Sequence, residues 1–198
     1  MNTMKLISCL LLGLGTAVSC PAENPAGIVL YLTTDDEVYL LLADHAVDAH
    51  RGWGGFGGGG ENGETPAETA ARETEEETRG YFDRDDLLNG IKGSEPVFDG
   101  TFHLFFLEVG FVPALRVQNN LLTTEEVTYR ERGPYAWIPY SEVARYIETD
   151  NQNQTGLIDR KFLPETTYSD WFWNVWLRNM RHAHRLGAMP WYTSEDGR

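Results

Sequence analysis

Apolar and polar positions along the chain mark out most of its elements. Two runs rich in branched and aromatic residues, GIVLYLTT (27–34) and EVYLLLA (37–43), flank the polar pair Asp35-Asp36 and predict the two strands of a hairpin. TFHLFFLEV (101–109) predicts a third, strong strand. EVTYRERGPYAWIPY (126–140) predicts an interrupted strand, and SEVARYIET (141–149) a helix that Ser141 caps. The polar stretch DNQNQTG (150–156) predicts a loop. SDWFWNVWLRNMRHAHRL (169–186) predicts a closing helix of about four to five turns. Between the hairpin and the third strand, RGWGGFGGGGENGE (51–64) predicts a glycine-rich loop, and a helix follows it. No internal repeat is visible.

The first apolar run is of another kind. Lys5 precedes an unbroken apolar stretch from Leu6 to Val18, within the range of a signal-peptide core and short for a membrane span. Ala17, Val18 and Ser19 put small residues at the cleavage positions before Cys20, and AVSC resembles the lipobox of bacterial lipoproteins, with Ala17 where leucine is usual. Residues 1–19 are therefore expected to direct export to the periplasm or cell envelope, either with a lipid on Cys20 as membrane anchor or as a soluble protein cleaved after Ser19. The bland alternative is a retained N-terminal helix. Residues 20–25 are expected to form a linker. Cleavage removes Cys9, which leaves one cysteine and no intramolecular disulfide.

Composition narrows the field. The chain has 198 residues, 41% of them apolar and 12% aromatic, enough for one domain with a real core. A net charge of −14 argues against a nucleic-acid groove, which needs a basic face. It leaves room for a small phosphate ligand held through metal ions.

The helix after the glycine-rich segment concentrates that negative charge. Thr65, Pro66 and Glu68 form a capping box with proline at the first helical position. Ala67, Ala70 and Thr74 offer a narrow face for close packing, while Glu73, Glu76 and Glu77 gather one turn apart. Like charges at that spacing repel by roughly 0.2–0.5 kcal/mol per pair. Either water solvates the face, or a hard cation such as Mg2+ sits there, since oxygen ligands shared with phosphate suit it. Arg72, placed beside the acids, can offset their repulsion.

Gly58, Glu64, Arg72-Glu73 and Glu76-Glu77 together resemble the Nudix box, here spanning 58–80, and WGGFGGGGENGE is similar to the loop before the Nudix helix. AWIPYSEV resembles the closing strand and helix start of that family. The resemblance implies an α/β fold, an α/β/α sandwich with a mixed sheet, over residues 26–148, with 149–198 as a C-terminal extension. It implies hydrolysis of a phosphoanhydride in a nucleoside diphosphate derivative with Mg2+ or Mn2+. Glu73, Glu76 and Glu77 carry over as metal ligands, with the carbonyl around Gly58, and Arg72 with Glu64 as the pair that holds helix to loop. The resemblance leaves the general base open between a glutamate of the box and an acid of a distant loop, for which Glu125, Glu126 and Glu131 are candidates. The box departs from the family pattern at its end, where Arg79-Gly80 stands for glycine and an apolar residue. One inserted residue, lengthening the helix slightly, is the expectation.

Weaker signals remain. His45 and His50 flank the loop before the box and could touch a ligand, although isolated histidines are more often structural. His182 and His184 have poor metal spacing. Pro96 resembles a marker of ADP-ribose-type members. Trp171, Trp173 and Trp176 are expected to pack on the domain or on a second subunit of a homodimer, ahead of base stacking or a membrane surface. The competing function classes are a non-catalytic nucleotide- or cation-binding envelope lipoprotein and a structural acidic lipoprotein.

Overall fold

The computed structural model describes residues 23–45, 51–122, 124, 126–149 and 156–192. The expectations for Cys9, Cys20, His50 and Glu125 fall outside them. The hairpin is present: β1 (Glu23–Thr33) and β2 (Val38–Asp44) pair antiparallel, Tyr31 opposite Leu40. β1 begins inside the segment expected as a linker, because Glu23 and Ala26 pair with Gly60 and Gly58. The glycine-rich segment is likewise not a loop. It forms β3 (Trp53–Gly54) and β4 (Phe56–Gly60), the latter antiparallel to β1. Glycine is a poor strand former on its own, but here two edges already in place capture its backbone.

β6 (His103–Glu108) runs parallel to β1 and carries the short β5 (Val97–Phe98) at the edge, and β7 (Tyr135–Pro139) pairs with β2. The described residues thus form a seven-stranded mixed sheet. Side chains alternate across a strand, and β1 shows both layers that result. Ile28 and Leu30 pack with Ala70 and Ala71 of α1 (Pro66–Glu77), while Val29 and Tyr31 pack on the opposite face. That opposite face is covered by Val143 and Ile147 of α4 (Tyr140–Ile147) and by Leu177 and Met180 of α5 (Asn174–Arg185). The α/β/α sandwich expected from the sequence is the observed fold.

Two helix boundaries differ from expectation. Ser141 does not cap α4; it lies within the first turn, and Pro139 stands at the cap with no side-chain hydrogen bond, because β7 runs straight into the helix. The closing helix begins only at Asn174. Trp171, Phe172 and Trp173 before it are extended, with Phe172 fully buried between two half-buried tryptophans. The Trp53 N–H donates to the Trp171 carbonyl (2.9 Å), and the Trp173 N–H donates to the Trp53 carbonyl (2.7 Å). Three aromatic residues are too few to distinguish a strand's period from a helix's, so the run reads as part of the helix that follows it.

The C-terminal segment is part of this core and not an appendage. The fully buried Asp44 side chain accepts hydrogen bonds from the Tyr168 and Ser169 N–H groups (both 2.9 Å) and from the hydroxyls of Thr167 (3.1 Å) and Ser169 (2.8 Å). Two short helices, α2 (Arg84–Gly90) and α3 (Ala114–Gln118), were not anticipated. Among the described residues no helix is long and apolar enough to cross a membrane.

Candidate active site

The acidic helix starts as its sequence dictates. The Thr65 hydroxyl accepts from the Glu68 N–H, and the Glu68 carboxylate accepts from the Thr65 N–H (2.8 Å), the reciprocal bonding of a capping box. Its far end differs from expectation. The Arg79 N–H donates to the Glu76 carbonyl (3.0 Å) and the Gly80 N–H to the Glu75 carbonyl (2.7 Å), the bonding of a Schellman ending. The left-handed residue at the first position past the cap is Arg79, with φ +60°, followed by Gly80 at +67°. The left-handed cap begins at Arg79 and is not shifted one residue on to Gly80, as an inserted residue would require: the arginine itself takes the conformation that favours glycine.

Between those ends the helix turns its acids toward β4. Arg72 lies at the centre, almost buried. Its Nε donates to Glu64 (3.0 Å), its Nη2 to the Gly59 carbonyl (2.7 Å), and its Nη1 stands 3.0 Å from Glu73 and 3.3 Å from Glu76. Glu64 also receives Arg84 (3.2 Å), the Thr69 hydroxyl (3.1 Å) and, through its other contacts, the Glu61 N–H (2.9 Å). Helix, loop and strand are therefore joined through one guanidinium. Burial alone would raise the Glu64 pKa, but the Arg72 hydrogen bond, the Glu61 N–H and the Arg72 charge outweigh it and hold it below the ordinary value. Arg72 is pushed in the opposite sense: burial disfavours its charge, and its three carboxylate neighbours more than restore it.

The other three acids stay desolvated. Burial, with Arg72 opposing and the Glu77 charge adding, raises Glu73 to about 7. Burial also raises Glu76, against Arg72 and with help from Glu61 and Glu126. Glu77 is raised chiefly by burial, against Arg132 and the Gly57 N–H. Its Oε2 accepts from that N–H (2.8 Å), and its Oε1 lies 3.1 Å from Arg132 Nε, an ion pair by distance without hydrogen-bond alignment. Arg132 is itself deeply buried, reaching the Gly55 carbonyl and lying against the His45 ring. Nothing in the spacing of RERGPY singles out Arg132. It reaches Glu77 only because β7 pairs with β2 beside the box.

The acids line a cleft of about 350 Å³ that also takes in Arg51, Glu126 and Glu131. Among the described residues, no three ligating side chains close around one point, because Glu73 and Glu76 are turned to Arg72 and Glu77 to Arg132. The donor set nonetheless fits a hard divalent cation. It is all oxygen, desolvated and rich in negative charge. Gly58 completes the cradle: a Cβ there would stand 2.4 Å from the Glu73 carboxylate, so glycine alone leaves that carboxylate its place.

Among the described residues, those that gave weaker signals do not line the acid cleft. His45 is buried, its Nδ1 2.7 Å from the Gly52 carbonyl and its ring edge-on to Trp173. His184 bonds the Tyr192 hydroxyl (2.6 Å), away from the acids. Pro96 lines a separate cleft that none of the acids enters. Trp176 is buried against Phe172.

The arrangement is thus an α/β sandwich in which a glutamate-bearing helix is clamped by arginine to a glycine-rich strand. A family model for the NUDIX domain matches residues 23–165, over two thirds of the chain, and the protein belongs to the Nudix hydrolase family. No curated protein matches it.

Proposed function

We propose that the acid cleft is the centre of a divalent-cation-dependent hydrolase that cleaves a phosphoanhydride in a nucleoside diphosphate derivative. The observation that carries this reading is the set of three desolvated glutamates facing the Gly58 cradle. Crowded carboxylates, partly buried at Glu73 and Glu76 and buried at Glu77, are a standing cost to the fold that a bound cation removes. Glu73, Glu76, Glu77 and the carbonyl around Gly58 would hold Mg2+ or Mn2+. When bound, the ion neutralises the diphosphate, polarises phosphorus and acidifies water.

The protein's own residues do the rest. Arg72 and Glu64 fix the helix against the loop, so that the acids keep one geometry as substrate enters. Arg51, at the cleft mouth, meets the phosphate charge. Glu126 and Glu131, on the segment around the 3-10 turn 127–130, are the acids placed to take a proton from the attacking water. Phosphoryl transfer asks for alignment and charge neutralisation more than covalent chemistry, and this set supplies both. The test is product release from a panel of nucleoside diphosphate derivatives, with and without divalent cation. Turnover that survives complete chelation would overturn the reading.

We also propose export with a lipid on Cys20. β1 begins at Glu23, so the anchor would stand three residues from the sheet, within about 11 Å of extended chain. Recovery of wild-type protein only in soluble fractions would reject the anchor, whereas release by Cys20→Ser supports it.

A further inference from the structure

A second pocket, of about 330 Å³, adjoins the acid cleft and shares Arg51, Gly57 and Gly58 with it. It lies between the sheet and α5, and its α5 side, from Trp173 to Asn179, falls beyond the stretch that the family model matches. Phe102, Trp173 and Trp176 give it flat aromatic walls, with the Arg51 guanidinium 5.5 Å from the centre of the Trp173 ring. Trp173 is steadied by the edge of His45, at 4.9 Å between ring centres.

Two of the lining side chains, Trp176 (4% exposed) and Asn179 (6% exposed), each carry a polar atom that is shielded from water and has no partner among the described residues: Trp176 Nε1 and Asn179 Oδ1. They sit three residues apart on α5 and so share one face. The indole reaches this position because residue 55 is glycine, where a Cβ would lie 2.8 Å from Trp176 Nε1. Buried polar groups are almost always hydrogen-bonded, and an unmade bond in an apolar setting is expensive. A donor and an acceptor left open together in an aromatic-walled pocket suit a ligand that is flat and carries both kinds of group on its edge.

We propose that this pocket binds the planar heterocyclic base of the substrate and that α5 is the element that reads it. A hydrocarbon group would leave both polar atoms open. A second sugar would bring surplus hydroxyls against aromatic walls. A base satisfies the pair with its edge and stacks with its face. The shared Arg51, Gly57 and Gly58 place the diphosphate at the border between the two pockets. That last assignment rests on the hydrolase reading above, whereas binding of the base does not.

The test therefore measures binding apart from turnover. Titration calorimetry on the full chain without metal compares AMP, GMP, CMP and UMP with ribose 5-phosphate, which lacks the base. At least one nucleotide should bind ten-fold or more tightly than ribose 5-phosphate. Asn179→Leu should bring that ratio to within about two-fold, and so should Val175→Trp, which fills the mouth from a position 37% exposed. Thermal melting checks the fold of each variant; if Asn179→Leu does not fold, Val175→Trp carries the test. Equal binding of all five ligands, or a preference that survives in a folded variant, overturns the proposal. A base preference without hydrolysis of any diphosphate derivative would support this pocket and reject the hydrolase reading. Hydrolysis whose kcat/KM is indifferent to the base would do the reverse.

Discussion

Glu77 and Arg132 are the most tightly interdependent residues of the site. The guanidinium is 1% exposed, and Glu77 is the carboxylate that answers its charge. Removing one member of a buried pair strands the other, at about 3–5 kcal/mol. Arg132→Met should therefore lower stability by about 3 kcal/mol in urea unfolding. Adding Glu77→Gln to it should recover a substantial part of that loss, because the stranded carboxylate is gone. A double variant no more stable than Arg132→Met alone would refute the coupling. Glu76 instead shares its cation, Arg72, with Glu64 and Glu73. Burial raises its pKa above the ordinary value, so the ionised form costs folded-state stability at neutral pH, and a neutral amide relieves the cost. The roles of Glu73, Glu76 and Glu77 as neighbours were legible from spacing alone. Arg132 was not, because its partner is far along the chain and only strand pairing joins them.

At the scale of the helix, α1 is held by one clamp and ends on one strained residue. Arg72 ties it to Glu64 and the Gly59 carbonyl. Arg72→Ala should lower the stability of the metal-free protein by about 3 kcal/mol and reduce turnover with it. An unchanged melting temperature would show the clamp to be dispensable. Arg79 at φ +60° is in a region that costs a residue with a Cβ roughly 1–2 kcal/mol. Arg79→Gly should accordingly stabilise the protein by about 1 kcal/mol in urea unfolding; destabilisation would mean that the arginine side chain outweighs its backbone. The start of this helix could be read from Thr65, Pro66 and Glu68, since a capping box is a local code. Its end could not, because arginine carries no signal for the left-handed region. The strands β3 and β4 were hidden for a related reason: their pairing is imposed by β1 and β2, not by their own glycines. Trp171-Phe172-Trp173 misled because an aromatic run too short to show its period was read with the helix that follows it.

At the scale of the molecule, the domain closes only when its C-terminal segment is in place. Among the described residues the Asp44 carboxylate takes its four donors from residues 167–169, and Phe172, Trp176, Leu177 and Met180 complete the core beneath β1 and β2. A chain ending at residue 165, where the family match stops, should lose cooperative thermal unfolding; a sharp transition in that fragment would contradict this. The sandwich itself was legible, since the hairpin, the long strand and the acidic helix are strongly patterned. The placement of residues 156–192 inside it was not, because their contacts reach back across more than a hundred residues. The most direct measurement on the whole protein is hydrolysis of nucleoside diphosphate derivatives by wild type and by Glu76→Gln, followed with and without Mg2+. The expected result is Mg2+-dependent cleavage by wild type, with most of it lost in Glu76→Gln while the metal-free variant melts at or slightly above the wild-type temperature. Cleavage by Glu76→Gln at the wild-type rate would contradict the assignment of this acid cleft as the catalytic centre.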